Sequence, residues 1–405
     1  MDSYKRKEVK EPGLMYAILV GIARWLLKVF FGHRVKYEDP VPKTGPLMVL
    51  GSHAGIFDSA YMAAAVKGRK LHFVTTERFF HQRFAGWFMH RMGVLPRLQF
   101  HPDPRSIATM LRIMKNGGAI GLFPAGQTSL GGLPGNIAPS IVRLLKKSGA
   151  TVVAQNIHGS FFTKSRFAPG INRGRVDSRI KIIFTPEELA AASDSEVYET
   201  VCKALYYDEF KWQEETHALF KSRARAAGYE KILYKCPRCG AEYRMKSEKH
   251  RFFCEACQNA AIVGRDMHMR PENESCVIYP TMRDWLRTLE DEVRAQVDDA
   301  SKPFVMESPA RLELYNGNLR YGAGQGVLYI NREEIGFKGE IDGQAESIAI
   351  KHSALPGMPA ETGVYMELYD AERGAVRYIP QNPLCVTKWK IAQEYLYSKT
   401  IALEK

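Results

Sequence analysis

Pro46-Leu-Met-Val-Leu50-Gly51-Ser52-His53-Ala-Gly55-Ile-Phe57-Asp58 is the segment from which the fold follows. Its apolar run is too short for a helix and closes on glycine, which predicts a buried strand delivering a histidine and an aspartate into the loop beyond it. The pattern returns at Ala119-Ile-Gly-Leu-Phe123-Pro124-Ala125-Gly126-Gln127-Thr128-Ser129, an apolar run emptying into a turn of glycine and hydroxyls. Leu71 to Val74 and Thr151 to Ala154 are further strand candidates, while Ser59 to Val66, Ser106 to Lys115 and Pro139 to Lys147 have helical composition or spacing. Strands alternating with helices predict an α/β domain, a mixed sheet flanked by helices, whose sites gather at the strand ends.

Of the residues so placed, His53 and Asp58 carry the sharpest chemistry. They are too far apart in phase to share one helical face, yet an aspartate in the first turn of the next helix can fold back onto the imidazole. A carboxylate there fixes the tautomer, supports the imidazolium and leaves the other nitrogen free as a general base. Gly126 in the second loop lets backbone approach a ligand, and Thr128 and Ser129 offer hydroxyls. Between the two, Gly93-Val-Leu-Pro96-Arg97 presents a guanidinium suited to clamping a phosphate. Each feature alone also fits an ordinary surface histidine, a tight turn or a solvated arginine.

Taken in order, these motifs resemble the glycerophospholipid acyltransferase family of the 1-acylglycerol-3-phosphate acyltransferase type. The resemblance rests on His53 to Asp58, Gly93 to Arg97, Phe123 to Ser129 and Val152-Val-Ala154 through His158-Gly159, and it covers roughly residues 30 to 200. It implies His53 and Asp58 as catalytic residues, and Arg97, Phe123, Pro124, Gly126, Thr128 and Ser129 as substrate-binding ones. The implied reaction is direct transfer of a fatty acyl group from acyl-CoA or acyl-carrier protein to a lysophospholipid hydroxyl. Departures from the family pattern are Ala125 where it has glutamate, Gln127 for threonine, Thr128 for arginine and Ser52 for asparagine. They fall mostly in the acceptor's box, which leaves open a different lysolipid acceptor. A non-catalytic lipid- or nucleic-acid-binding protein on a degenerate acyltransferase domain is the other reading.

Seven cysteines occur, four of them as Cys236-Pro-Arg-Cys239 and Cys254-Glu-Ala-Cys257. Two such knuckles predict a closed tetrahedral zinc site of structural type, a zinc ribbon, in a reducing compartment; unpaired thiols or an iron site are the alternatives. Beyond Met282 to Val297, an amphipathic helix, short alternating runs from Leu312 to Ile379 and a closing helix at Val386 to Tyr397 predict a small β-rich module of the pleckstrin-homology type. Gly322-Ala-Gly324-Gln-Gly326 reads as a flexible turn. The expected division is 1–34 an interfacial helix, 35–200 the acyltransferase domain, 201–231 a helical linker, 232–264 the zinc ribbon, 265–304 a second helical linker and 305–405 the β-rich domain.

The chain has 57 Lys plus Arg against 44 Asp plus Glu, a net of +13, over 405 residues. At that length two or three domains are expected, and the composition excludes disorder or a small disulfide scaffold. Lys67 to Lys115 holds ten basic residues and two acidic ones, a positive field suited to anionic lipid headgroups, phosphorylated substrates or, less readily, nucleic acid. Leu14 to Gly32 is apolar apart from Arg24 and Lys28. Two cations inside so short a span predict a helix lying in the interface, its cations at the phosphates, on the cytoplasmic face of a membrane. The alternative is a helix of the hydrophobic core.

Overall fold

The computed structural model describes residues 8–98, 103–316, 319–370 and 373–403. Residues 1–7 of the predicted interfacial segment, and 317–318, 371–372 and 404–405 of the predicted β-rich domain, lie outside it. The chain opens with α1 (Leu14–Phe31), β1 (Arg34–Tyr37), β2 (Leu47–Gly51), α2 (Asp58–Ala65), β3 (Leu71–Thr76), α3 (Arg83–Arg91), β4 (Leu95–Arg97), α4 (Pro104–Lys115) and β5 (Ala119–Leu122). It continues with α5 (Ile141–Ser148), β6 (Thr151–His158), α6 (Ser160–Thr163), β7 (Asp177–Phe184), α7 (Pro186–Ala191), α8 (Asp194–Leu205) and α9 (Glu209–Thr216).

The first sheet has the order β1-β7-β6-β2-β5-β3-β4. Strands β6, β2, β5, β3 and β4 run parallel, whereas β7 is antiparallel to β6 and carries β1 parallel to itself, making the sheet mixed. β2 is central and every residue in it is buried, as its unbroken apolar run demands of a strand covered on both faces. Leu47, Val49 and Met62 pack on one face, and Met48, Leu50, Met110, Leu145 and Val201 on the other. Leu50 pairs with Leu122 of β5, so these two strands end level and their loops leave the sheet side by side. That register is what brings two motifs seventy residues apart into one place.

α1 packs on α2, with Tyr16 and Leu27 buried. Leu14, Ile18, Ile22, Trp25, Leu26, Val29 and Phe30 recur at three- and four-residue spacing and remain exposed, Leu14 at 75% and Trp25 at 62%. The helix is long and apolar enough to cross a membrane by length and composition. One detail of the sequence reading is corrected: Arg24 turns toward the protein, its Nε donating to the Ala64 carbonyl at 2.9 Å, because α2 ends nearby with carbonyls that no further helical turn satisfies.

A four-stranded antiparallel sheet, β8 (Met245–Glu248), β9 (Arg251–Cys254), β10 (Ala260–Val263) and β11 (Met269–Pro271), carries the cysteine pairs. After α10 (Met282–Asp298) come β12 (Val305–Asn316), β13 (Leu319–Asn331), β14 (Glu334–Ile341), β15 (Gln344–Lys351), β16 (Ala360–Glu361), β17 (Tyr365–Asp370), β18 (Gly374–Pro380) and α11 (Val386–Leu403). These strands form one antiparallel sheet in the order β15-β14-β13-β12-β18-β17-β16. Gly324 and Gly326 are not in a turn, as read from the sequence, but inside β13: a Cβ on Gly324 would stand 1.8 Å from the Glu340 carbonyl oxygen of β14. Glycine is there because two backbones cross at close range.

A single apolar core runs from Phe161, Phe210 and Phe220 through Tyr229, Phe252 and Trp285 to Phe337, Tyr378 and Trp389. The segment 201–231 is α-helical only as far as Thr216, closes in a short 3-10 turn at Tyr229–Lys231, and packs its aromatic residues with Phe161 and Phe162 of α6 and with Phe252 of the cysteine-bearing sheet. Arg78 donates to Tyr365 Oη at 2.7 Å, and Arg166 donates to Glu361 at 2.9 Å. The β-rich part is thereby held against the first domain.

Candidate active site

The loop leaving β2 is tied down before it reaches the histidine. Ser52, which is buried, accepts a hydrogen bond from the Ile157 N–H at 2.8 Å, and its own N–H donates to Gln155 at 3.0 Å. A Cβ on Gly51 would meet Met62 and Phe123 at 2.5 Å, and one on Gly55 would meet Ser160 at 2.5 Å. Both glycines permit contacts that any side chain would forbid.

Asp58 begins α2 and is fully buried. Its Oδ2 lies 2.8 Å from His53 Nδ1 and accepts the Gly55 N–H at 2.9 Å. Its Oδ1 accepts the Ser160 hydroxyl. A buried carboxylate is tolerated when its lone pairs are filled in this way, and the helix N-terminus adds favourable field. The His53 side chain is 22% exposed, and the bond to Asp58 leaves Nε2 without a partner among the described residues. Phe123 stacks on the imidazole with centroids 4.4 Å apart. The dyad therefore presents one nitrogen, of set tautomer, toward solvent at the strand ends.

The Phe123–Ser129 turn closes through Gly126 N–H to the Phe123 carbonyl and Ser129 N–H to the His53 carbonyl, both 3.0 Å. Pro124, Gly126 and Thr128 line this turn at or near the surface. Ser129 is buried, and its Oγ accepts the Gly132 N–H at 2.7 Å, which commits the hydroxyl to shaping the loop. Arg97 ends β4 at the sheet edge, three strand spacings from β2, roughly 14 Å. Burial holds the Arg97 guanidinium below its usual pKa, and Asp103 opposes that shift.

Ser160, Tyr207 and Glu209 were missed in the sequence. Tyr207 donates to the His53 carbonyl at 3.2 Å. Glu209 is completely buried, its Oε2 accepting the Gly159 N–H at 2.5 Å and its Oε1 without a partner among the described residues. It braces the residue next to Ser160, and hence the far side of Asp58. The only available signal was phase: in Glu209-Phe-Lys-Trp-Gln213 the buried face of α9 includes an acid. Burial pushes the Glu209 carboxyl well above its ordinary pKa; the Gly159 N–H opposes this, and Asp58 adds to it.

The folded state thus holds a proton on Glu209 that the unfolded chain releases, so this group's contribution to stability falls as pH rises above the ordinary carboxylate pKa. Glu209→Gln, which keeps the acceptor, should leave stability at about pH 4 nearly unchanged and flatten the decline from there toward pH 8 in urea unfolding. Glu209→Ala should cost about 1–3 kcal/mol at about pH 4, through the orphaned Gly159 N–H, and less toward pH 8, where the wild type has lost stability of its own. A Gln variant with the wild-type slope would refute the proton assignment.

Cys236, Cys239, Cys254 and Cys257 place their Sγ atoms within 4.8 Å of one another. The Cys236–Cys257 and Cys239–Cys254 separations are 3.7 and 3.8 Å. Gly240 and Gln258, immediately after each pair, both have positive φ, giving the two knuckles the same turn.

Residues 32–158 match the family model described as Acyltransferase. The chain is 22% identical over 141 residues to the 1-acyl-sn-glycerol-3-phosphate acyltransferase of Bacillus subtilis, covering 35% of this chain and 65% of the relative. A solved structure, the 1-acyl-sn-glycerophosphate acyltransferase of Thermotoga maritima, aligns with a TM-score of 0.41 at 17% identity, covering 50% of this chain and 81% of that one. The matched residues hold both the His53–Asp58 pair and the Phe123–Ser129 turn, so it is the part of the chain that carries them, residues 32–158, that is similar to the acyltransferase family.

Proposed function

We propose that this chain is an O-acyltransferase that moves a fatty acyl group from an acyl thioester, acyl-CoA or acyl-carrier protein, to the hydroxyl of a lysophospholipid, with 1-acylglycerol-3-phosphate the first acceptor to test. The observation that carries the reading is the Asp58–His53 bond of 2.8 Å with Nε2 left facing solvent. Nε2 takes the proton of the acceptor hydroxyl as its oxygen attacks the thioester carbonyl, and Asp58 supports the imidazolium so formed. Collapse of the tetrahedral intermediate breaks the C–S bond, and the imidazolium returns its proton to the leaving thiolate. No acyl-enzyme is required. The N–H groups of Gln127 and Thr128, which the turn's own two hydrogen bonds leave unused, are assigned to the oxyanion. Arg97, Phe123, Pro124, Gly126 and Thr128 are assigned to the substrate, with Ser129 holding their loop.

Four thiolates around one ion fit the cysteine cluster. Zn–S bonds of about 2.3 Å at tetrahedral angles put sulfurs about 3.8 Å apart, against the 3.7 and 3.8 Å found. With every position filled by cysteine, zinc there would be structural. The strand order of the last sheet and its closing helix α11 support a pleckstrin-homology-like module. The exposed apolar stripe of α1 supports a monotopic or peripheral position on the cytoplasmic face of a membrane.

The test is to incubate the purified full chain with acyl-CoA and a panel of lysophospholipids and follow free thiol. Release that requires an acceptor is expected, and the preferred headgroup names the substrate. Headgroup or nucleic-acid binding without turnover would instead favour a binding protein on this fold.

A further inference from the structure

At the C-terminal end of α1 lies a cleft of about 350 Å³, lined in part by Phe30, Phe31, Arg34, Arg173, Arg175 and Lys221. Arg175 is neutralised by Asp177 at 2.7 Å. Arg34, Arg173 and Lys221 have no ion-pair partner among the described residues. Arg173 and Lys221 are also a directly opposed antiparallel pair, each N–H donating to the other's carbonyl, at 2.8 and 2.7 Å. Like charges so opposed stand with their Cβ atoms about 5 Å apart and repel, an arrangement that an anion between them would relieve. The surroundings are apolar. Arg173 sits 4.9 Å above the Phe30 ring, and Phe30, Ile171 and Leu219 are 43%, 51% and 51% exposed. The cleft thus continues the exposed apolar stripe of α1, and its cations come from three separate segments.

We infer that this cleft holds the phosphate of an anionic phospholipid in the bilayer on which α1 lies, a lipid site separate from the His53 centre. Cations inside an apolar rim, at the end of an apolar helix face, match a headgroup with its acyl chains alongside, and match a fully hydrated soluble anion less well. The inference rests on the membrane reading of α1.

The experiment is flotation of the full chain with phosphatidylcholine vesicles, with and without about a third phosphatidylglycerol. At about five-fold per cation, Arg173→Gln with Lys221→Gln should weaken binding to the anionic vesicles about thirty-fold. Binding to pure phosphatidylcholine, and turnover on a short-chain soluble acceptor, should stay unchanged. The control, Arg143→Gln with Lys147→Gln, removes the same charge from exposed positions on α5 and should lose only a few-fold. Equal losses in the two double variants, or a full anionic increment in the cleft variant, would overturn the site. A wild type that floats with neither vesicle would overturn the membrane reading and the site with it. A wild type that floats equally with both would overturn the site alone.

Discussion

Replacing His53 with alanine lowers acceptor-dependent thiol release by about 10²–10⁴-fold while leaving folding and vesicle binding intact. The imidazole is the base that the Asp58 geometry prepares, and because the ring is partly exposed and, among the described residues, stacks on Phe123 alone, its removal opens no sealed cavity. Asp58→Asn keeps the size of the side chain but takes away the charge that supports the imidazolium, so its loss of rate should be of the same order. Asp58→Ala differs in kind. It strands the Gly55 N–H and the Ser160 hydroxyl, both buried, and adds a stability loss of about 1–3 kcal/mol for each to the loss of rate. Steady-state rates and urea unfolding on the three variants separate chemistry from structure. An alanine variant at position 53 with wild-type turnover would remove the base assignment and leave the fold standing.

The cysteine cluster should produce the larger effect on stability. Cys254→Ser, or extraction of the ion with a strong chelator, should release one zinc per chain, as read by elemental analysis, and lower Tm by about 10 °C or more. The loss spreads because Cys236 and Cys254 belong to the same core as Phe252, Trp285 and Met245, which joins the first domain to the β-rich one. Lys388 bound to Glu242 and Thr387 bound to the Lys231 carbonyl tie α11 onto this region. Protein as isolated, free of metal and with the same Tm before and after chelator, would contradict the assignment; iron in place of zinc would correct the ion and keep the site.

Much of the first domain could be read from the chain. β2 and β5 announced themselves because strands covered on both faces carry unbroken apolar runs, and Gly51 at the end of the one and Gly126 just past the other marked the loops that follow. β7 and β14 went unread, since Asp177, Arg179 and Lys181 on one and Glu334, Lys338 and Glu340 on the other dilute the apolar signal of strands with an exposed face. Gly324 and Gly326 read as a turn in the sequence because glycine marks both turns and close backbone crossings, and only the pairing partner distinguishes them.

Residue types and short spacings along the chain were enough to single out His53, Asp58, the glycine-bearing turn and the four cysteines, because local chemistry needs those residues within a few positions of each other. The rest depended on distant segments meeting: Ser160 and Glu209 behind Asp58, Arg24 turned onto Ala64, and Arg173 facing Lys221 beside Phe30. No short window of sequence contains both members of such a pair, and burial, which sets what each can do, exists only once the sheet and its covering helices have closed.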